Sequence, residues 1–225
     1  MENNMKKTNI NITNFIKILK QTYPDATCSL DFKTPFQLVV AVMLSAQCTD
    51  ERVNKTTPTL FERCKTIEDF TNIDIQELEK IIHPCGFYKN KAKNIKLCAN
   101  QVIKNFNGIV PHTKDELLTL AGIGRKSANV ILLEVFGIAN GIAIDTHAKR
   151  ISNRIGLSSE TDPEKIEQDL LKIFPKDSLK DINHLLVWHG RKTCNARKPK
   201  CDICTVKAYC KQYAQKEHSS NFQFK

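Results

Sequence analysis

No stretch of this sequence can cross a bilayer as a helix. Its longest unbroken apolar run is seven residues, Leu38 to Leu44, where a spanning helix needs about 18. An export signal is missing as well. Lys17 and Lys20 interrupt the one apolar stretch near the start, and a signal needs an unbroken apolar centre. The chain is therefore expected in the cytoplasm, where its nine cysteines stay reduced and form no disulfides. No run alternates apolar and polar residues over the length of a strand, no period of roughly 20–50 residues recurs, and no block is of low complexity. These absences argue against a β-rich fold, a repeat solenoid and a disulfide-stapled scaffold.

Acidic residues are also short. Lys and Arg number 34 against 24 Asp and Glu, a formal net charge of +10. Such an excess favours a polyanionic partner, nucleic acid before a membrane surface. The hydrophobic share of 41% and charged share of 26% are those of a globular protein, and the length allows one large domain or two modest ones. What is plentiful is helical periodicity. Ile12, Phe15, Ile16 and Leu19 share a face between Ile10 and Gln21, before a loop over 22–34. Pro35 opens an apolar helix to Ala46, and Asp50 is expected to cap a helix running to about Cys64. Short helices follow at Ile67–Phe70 and Asp74–His83, the latter stopped by Pro84 and Gly86. Over 88–106, Ile95, Cys98, Val102 and Phe106 form an apolar stripe. Lys89, Lys91, Lys93 and Lys96 give that helix a basic half, read as a solvated face. Thr113 to Glu116 matches a capping box, and Asp162-Pro163 opens another helix. Helices are expected over 163–174 and 178–189, the last ending at Gly190. The fold class is all-α.

Between Thr113 and His147, two helical segments flank the turn Ala121-Gly122-Ile123-Gly124. The glycines permit positive φ and close approach of an anion to the backbone. The next helix, starting at Gly124 or Arg125, directs its free N–H groups at that anion. A phosphodiester bound there would position the chain without reading sequence. A tight helix connection needing glycine only for its geometry is the alternative. Lys126 follows in the first helical turn, expected partly out of water. A neutral lysine amine is a nucleophile, although most helical lysines are surface groups. Asp145 precedes Thr146 and is expected to cap a helix with one carboxylate oxygen, leaving the other for chemistry. Cys194, Cys201, Cys204 and Cys210 follow the pattern C-x6-C-x2-C-x5-C. Four thiolates so spaced suit zinc or an iron–sulfur cluster.

These residues carry a family resemblance. L-A-G-I-G-R-K-S-A-N-V (120–130) resembles the helix–hairpin–helix of the endonuclease III family, base-excision DNA glycosylases with lyase activity. So do M-L-S-A-Q-C-T-D (43–50), G-F-Y-K-N-K-A-K-N-I (86–95), I-D-T-H (144–147), W-H-G-R-K-T-C (188–194) and the cysteine tail, a span from Pro35 to Cys210. The chain departs from the family at Ala121, where proline is usual, and at Cys48, where alanine is usual and a thiol now sits near the expected DNA face. The resemblance implies two helical lobes. One covers 28–136 with the hairpin at about 114–136. The other combines 1–27 with 137–225 and holds a 4Fe-4S cluster at 194–210. DNA would cross the groove between them.

It further implies a base-excision-repair glycosylase that removes oxidised or damaged pyrimidines from duplex DNA. AP lyase activity would cleave 3′ of the abasic site through a lysine Schiff base. Lys126 takes the nucleophile position and Asp145 that of the catalytic aspartate. Gln47 matches the wedge that fills the space of an extruded base, and Phe87 a second, apolar wedge. Ser45 and Asp50 would brace the Gln47 loop. Gly122, Gly124, Arg125 and His147 would contact DNA. Arg197, Lys198 and Lys200 would press on its backbone from a loop held by the cluster ligands Cys194, Cys201, Cys204 and Cys210. The expected partner is double-stranded DNA with damaged bases or abasic sites, bound by a monomer associated with the nucleoid and not with a membrane. Two other readings stand beside this one. Lys126 argues against a monofunctional mismatch glycosylase. The pairing of Lys126 with Asp145 argues against a non-enzymatic helix–hairpin–helix DNA-binding module.

Overall fold

The computed structural model describes residues 10–221, with side chains to Lys216. The described residues are helical, with no strand among them, so the all-α class holds. The helices are α1 (Ile12–Thr22), α2 (Pro35–Leu44), α3 (Asp50–Arg63), α4 (Ile67–Asn72), α5 (Ile75–Ile82) and α6 (Tyr88–Phe106). After them come α7 (Lys114–Leu118), α8 (Arg125–Phe136), α9 (Thr146–Ile155), α10 (Pro163–Ile173), α11 (Leu179–Lys192) and α12 (Lys211–Asn221). The chain divides into two compact units, Cys28–Ile138, and Met1–Thr27 together with Ala139–Lys225. No described helix is long and apolar enough to cross a membrane.

In the unit Cys28–Ile138 the core is built on α2. Every residue from Phe36 to Leu44 is buried, as expected of a helix apolar on all sides. Helices α3, α6 and α8 pack around it. Each large apolar side chain so buried contributes roughly 1.5–3 kcal/mol, which makes α2 the fixed reference for the loops at its end. The other unit has its own core of Phe15, Leu19, Ile142, Ile151, Ile166, Leu170, Ile182 and Leu186. There α11 packs on both α9 and α1.

Side-chain caps set most helix starts. Thr34, Thr49, Asp74, Thr113, Asp145 and Asp162 each accept a backbone N–H from the first turn of the helix they precede. Thr66 and Asp69 form a reciprocal capping box. The cap of α3 is thus Thr49 and not Asp50. Asp50 lies in the first turn, where its charge suits the helix dipole. Helix α2 stops at Leu44, two residues short of the expected Ala46.

Gly190 does not end α11, which continues to Lys192. A Cβ at Gly190 would lie 2.7 Å from the Cβ of His147. The glycine therefore serves the close approach of α11 to α9. Nor is the basic half of α6 wholly a solvated face. The Lys96 ammonium donates to the Thr71 carbonyl at 2.7 Å and to that of Ile73, and Lys91 is buried.

Candidate nucleic-acid interface

In the unit Cys28–Ile138, three of the residues singled out by sequence meet around one cleft. Gln47, Phe87 and Gly122 line it together with Met43, Asn90, Lys91 and Asn94. Gln47 is exposed, and Phe87 is 62% exposed, an unusual state for a large apolar ring beside a packed core. Both have left-handed backbones, with φ of 54° and 47°. That conformation costs a non-glycine residue about 1–2 kcal/mol, and such strain gathers where the surrounding structure imposes a geometry for use.

The side chain that ties these loops together is Lys91. It is 7% exposed. Its ammonium donates to the carbonyls of Leu44 at 2.7 Å, Ala46 at 2.8 Å and Cys85 at 2.9 Å. The first two bracket the end of α2 just before Gln47, and the third lies just before Phe87. Burial pushes the Lys91 pKa below the ordinary lysine range, opposed by the nearby thiols of Cys48 and Cys85. Cys48 is half-buried against the core, and its Sγ donates to the Thr49 carbonyl at 3.7 Å. Ser45 braces the loop through its carbonyl, which accepts from Cys48 N at 3.1 Å. The Asp50 carboxylate instead accepts from the Ser29 hydroxyl at 2.5 Å.

The hairpin turn is held from the same helix. Gln101 of α6 accepts from Ala121 N at 2.7 Å and donates to the Thr119 carbonyl at 3.2 Å. These bonds hold the turn despite the loss of the family's proline at Ala121. Ile123 is buried beneath it. The two glycines differ. Gly122 has φ +78°, and a Cβ there would stand 2.7 Å from Met43 Cε and 3.2 Å from Asn94 Cβ. Gly124 caps α8 with φ −104° and ψ 178°, a conformation open to any residue. A Cβ on it would meet nothing within 4 Å. Positive φ is therefore needed at Gly122 alone, while Gly124 keeps the approach to the helix end clear.

Helix α8 has no side-chain cap, and neither does α6 behind Phe87. In the same unit α2, α3, α4, α5 and α7 all have one. The first amides of α6 and α8 thus remain for an external acceptor. Arg125 and Lys126 are exposed in the first turn of α8. Lys126 makes no hydrogen bond or ion pair with the described residues, and it is not desolvated as expected. Exclusion of water from it is left to whatever binds.

In the other unit, Asp145 caps α9. Its Oδ1 accepts from His147 N at 2.8 Å and Ala148 N at 2.7 Å, and its Oδ2 accepts nothing from the described residues. The His147 ring is half-buried, 3.1 Å from the Arg150 guanidinium. Burial holds its pKa below the usual imidazole range, with Asp145 opposing. That makes it a packed and braced ring.

Cys194, Cys201, Cys204 and Cys210 line a single pocket. All four are half-buried and free. The thiol pKa values of Cys204 and Cys210 are raised, first by burial and further by the neighbouring cysteines. His189 sits beneath, its pKa pushed down by burial to about 4. Its Nδ1 is 2.9 Å from the Tyr23 hydroxyl, and its Nε2 is 3.8 Å from Cys204 Sγ.

Arg197, Lys198 and Lys200 are exposed, and their side chains make no hydrogen bond or ion pair with the described residues. The loop that carries them is held by two arginines one turn apart on α9. Arg150 donates to the Cys194 carbonyl at 3.0 Å and that of Gly190 at 2.9 Å. Arg154 donates to the carbonyls of Asn195 at 2.7 Å and Ala196 at 3.0 Å, and to Cys194 Sγ at 3.4 Å. Sequence reasoning missed Arg150, Arg154, Lys91 and Gln101. The signal for the pair was its i, i+4 spacing. The signal for Lys91 was its place in line with the apolar stripe of Ile95, Cys98 and Val102.

The sequence model of the "HhH-GPD superfamily base excision DNA repair protein" matches residues 40–176. The endonuclease III of Synechocystis sp. is 50% identical over 198 residues, 88% of this chain and 90% of that protein. The chain belongs to the endonuclease III family. Two solved structures of the family superpose closely. One is an endonuclease III in non-covalent complex with DNA, with a TM-score of 0.87 and 38% identity over 92% of this chain and 97% of the other. The other is a trapped covalent endonuclease III–DNA intermediate, with a TM-score of 0.87, 39% identity and the same coverage. Duplex DNA is the binding partner that this membership brings.

The two glycines yield a paired prediction. Gly122→Ala combines positive φ with crowding against the Met43 and Asn94 side chains and should lower unfolding free energy by about 1–3 kcal/mol. Gly124→Ala should cost under about 1 kcal/mol yet weaken duplex DNA binding by roughly tenfold, through its methyl group in the anion path. Denaturant midpoints and a binding titration at fixed salt separate the two effects. Equal stability losses, or full DNA affinity in Gly124→Ala, would contradict the assignment.

Proposed function

We propose that this chain is a bifunctional base-excision glycosylase and AP lyase acting on oxidised or damaged pyrimidines in duplex DNA. The observation that carries the reading is Lys126, exposed and unpaired among the described residues in the first turn of an uncapped helix. A relative of the same fold is known as a covalent intermediate with DNA, which supports a nucleophile of this kind. DNA packed against the uncapped end of α8 would exclude water from the lysine.

The reaction then runs as follows. The neutral amine of Lys126 attacks C1′ of the deoxyribose as the bond to the base breaks, and the base leaves with the bonding pair. The adduct loses one of its two amine protons, and the C1′–O4′ bond opens as the ring oxygen takes up a proton, which leaves an iminium that keeps one N–H between Lys126 and C1′. The iminium acidifies the 2′ hydrogen. Its removal drives cleavage of the C3′–O bond, and the phosphate leaves with that pair. Water hydrolyses the imine and frees Lys126. Asp145 is assigned the carboxylate role, accepting the proton from the lysine and stabilising positive charge on the sugar. Its second oxygen, left over from capping α9, suits that role. Gln47 and Phe87 fill the space of the extruded base, since the target carbon is out of reach inside a stacked duplex. Arg125, Arg197, Lys198 and Lys200 are assigned to phosphates, and His147 to bracing the start of α9. DNA as partner would hold the protein at the nucleoid.

The four cysteines would hold a 4Fe-4S cluster. Among the described residues no three of the His, Cys, Asp or Glu side chains converge on a point as a single ion requires. The four thiols do share one cavity, and four soft donors around such a space suit an iron–sulfur body. Thiolates so close repel one another, and the iron would neutralise them. When bound, the cluster supplies cross-linking to the loop from Cys194 to Cys210, and the chemistry at Lys126 calls for no electron from it.

Two results test the proposal. Lys126→Ala should still bind abasic duplex DNA within about threefold, yet give no adduct when borohydride is added. Trapping at the parental level would remove Lys126 from the nucleophile role. Cys201→Ser should yield protein depleted in iron, pale in visible absorption and weaker in DNA binding. A colourless preparation that binds DNA as well as the brown one would contradict a structural cluster.

A further inference from the structure

We propose that Lys91 is the positioning residue for base extrusion: it fixes the loops of Gln47 and Phe87 at one separation. The inference rests on the reading of those two residues as wedges. An ammonium has three donors, and all three are used, on Leu44, Ala46 and Cys85. Two bonds fall at the C-terminal end of α2, where helix carbonyls lack intrahelical donors and a cation suits the dipole. The third falls in the short 3-10 turn His83–Cys85 before Phe87. One buried point charge thus joins segments some forty positions apart in the chain.

The position of the clasp matters as much as its bonds. Gln47 and Phe87 each follow it by one or two residues and are left-handed. A left-handed backbone relaxes to ordinary φ unless its neighbours are held. On each side local bonds join the clasp, among them Cys48 N to the Ser45 carbonyl at 3.1 Å and Gly86 N to the His83 carbonyl at 3.1 Å. The Lys91 side chain bonds both segments, and it lines the same cleft as the two wedges. Lys89 and Lys93 flank it in sequence and are exposed, which suits phosphate contact. Lys91 is withdrawn from that task.

The test compares the full-length parent with Lys91→Met, and with Lys91→Gln as a milder variant that keeps two donors. Hydrogen exchange should speed up at least tenfold at the amides of both Cys48 and Gly86, while Ala128 in α8 keeps its protection. On DNA, the rate of base removal from a lesion-bearing duplex should fall at least tenfold relative to the rate of strand cleavage at an abasic site in single-stranded DNA. A global loss of stability would lower both rates alike. Lys91→Gln should show the same pattern to a smaller degree. Unchanged exchange at either loop, or an equal fall in the two rates, would overturn the proposal. If the parent itself cleaved neither substrate, the glycosylase and lyase reading would fall, and the exchange data would still decide whether Lys91 clasps the loops.

Discussion

A carbonyl withdrawn from water must find a donor, and in the unit Cys28–Ile138 that requirement is met by side chains of α6. Lys91 satisfies three carbonyls in the segments before Gln47 and Phe87. One to three turns further along, Asn94 packs against Gly122 and Gln101 bonds the hairpin turn at both ends. A single helix therefore sets the spacing between Gln47, Phe87 and the hairpin turn. Helix α2, buried from Phe36 to Leu44, supplies the floor against which that spacing is fixed. The strain in the left-handed backbones of Gln47 and Phe87 is affordable because both supports are anchored in the core.

The other unit solves a like problem with the same chemistry. Arg150 and Arg154 bond the carbonyls at the root of the cysteine loop, and Arg197, Lys198 and Lys200 remain exposed. In both units some cations are consumed in holding a loop while their sequence neighbours stay available to an anion. The net charge of +10 is thus a poor count of the charges that face DNA. It mixes Lys91 and Lys96, which are bonded to carbonyls, with Lys126, which is exposed. The same division explains the capping pattern. In the unit Cys28–Ile138, α2, α3, α4, α5 and α7 start on capping Thr or Asp side chains, whereas α6 and α8 start on Phe87 and Gly124 without a side-chain cap.

Much of this was legible in the sequence. Periodicity and caps give the helices to within a few residues, because apolar stripes and Thr or Asp caps act locally. The turn at Gly122 and the cap at Asp145 could be read for the same reason. Errors arose where a long-range contact decided a residue's role. Gly190 looked like a helix stop and is a contact point for His147. Lys91 looked like surface charge, although its alignment with Ile95, Cys98 and Val102 marked it as inward-facing. Gly124 looked like a second positive-φ glycine, and only its backbone shows the extended conformation. The family motifs added what periodicity cannot, the roles proposed for Gln47, Phe87 and the cysteines, since those depend on a ligand and not on the chain's own packing.

The central claim is that the face carrying Gln47, Phe87 and the hairpin is where DNA binds. The most direct measurement is a map of backbone amide chemical shifts as a duplex with a stable abasic analogue is titrated in. The account predicts that the largest changes fall on Gln47, Phe87, Gly122, Gly124 and Lys126. Perturbation centred instead on the cleft formed by Lys65, Thr66, Gly108 and Ile109, with the hairpin amides silent, would contradict it.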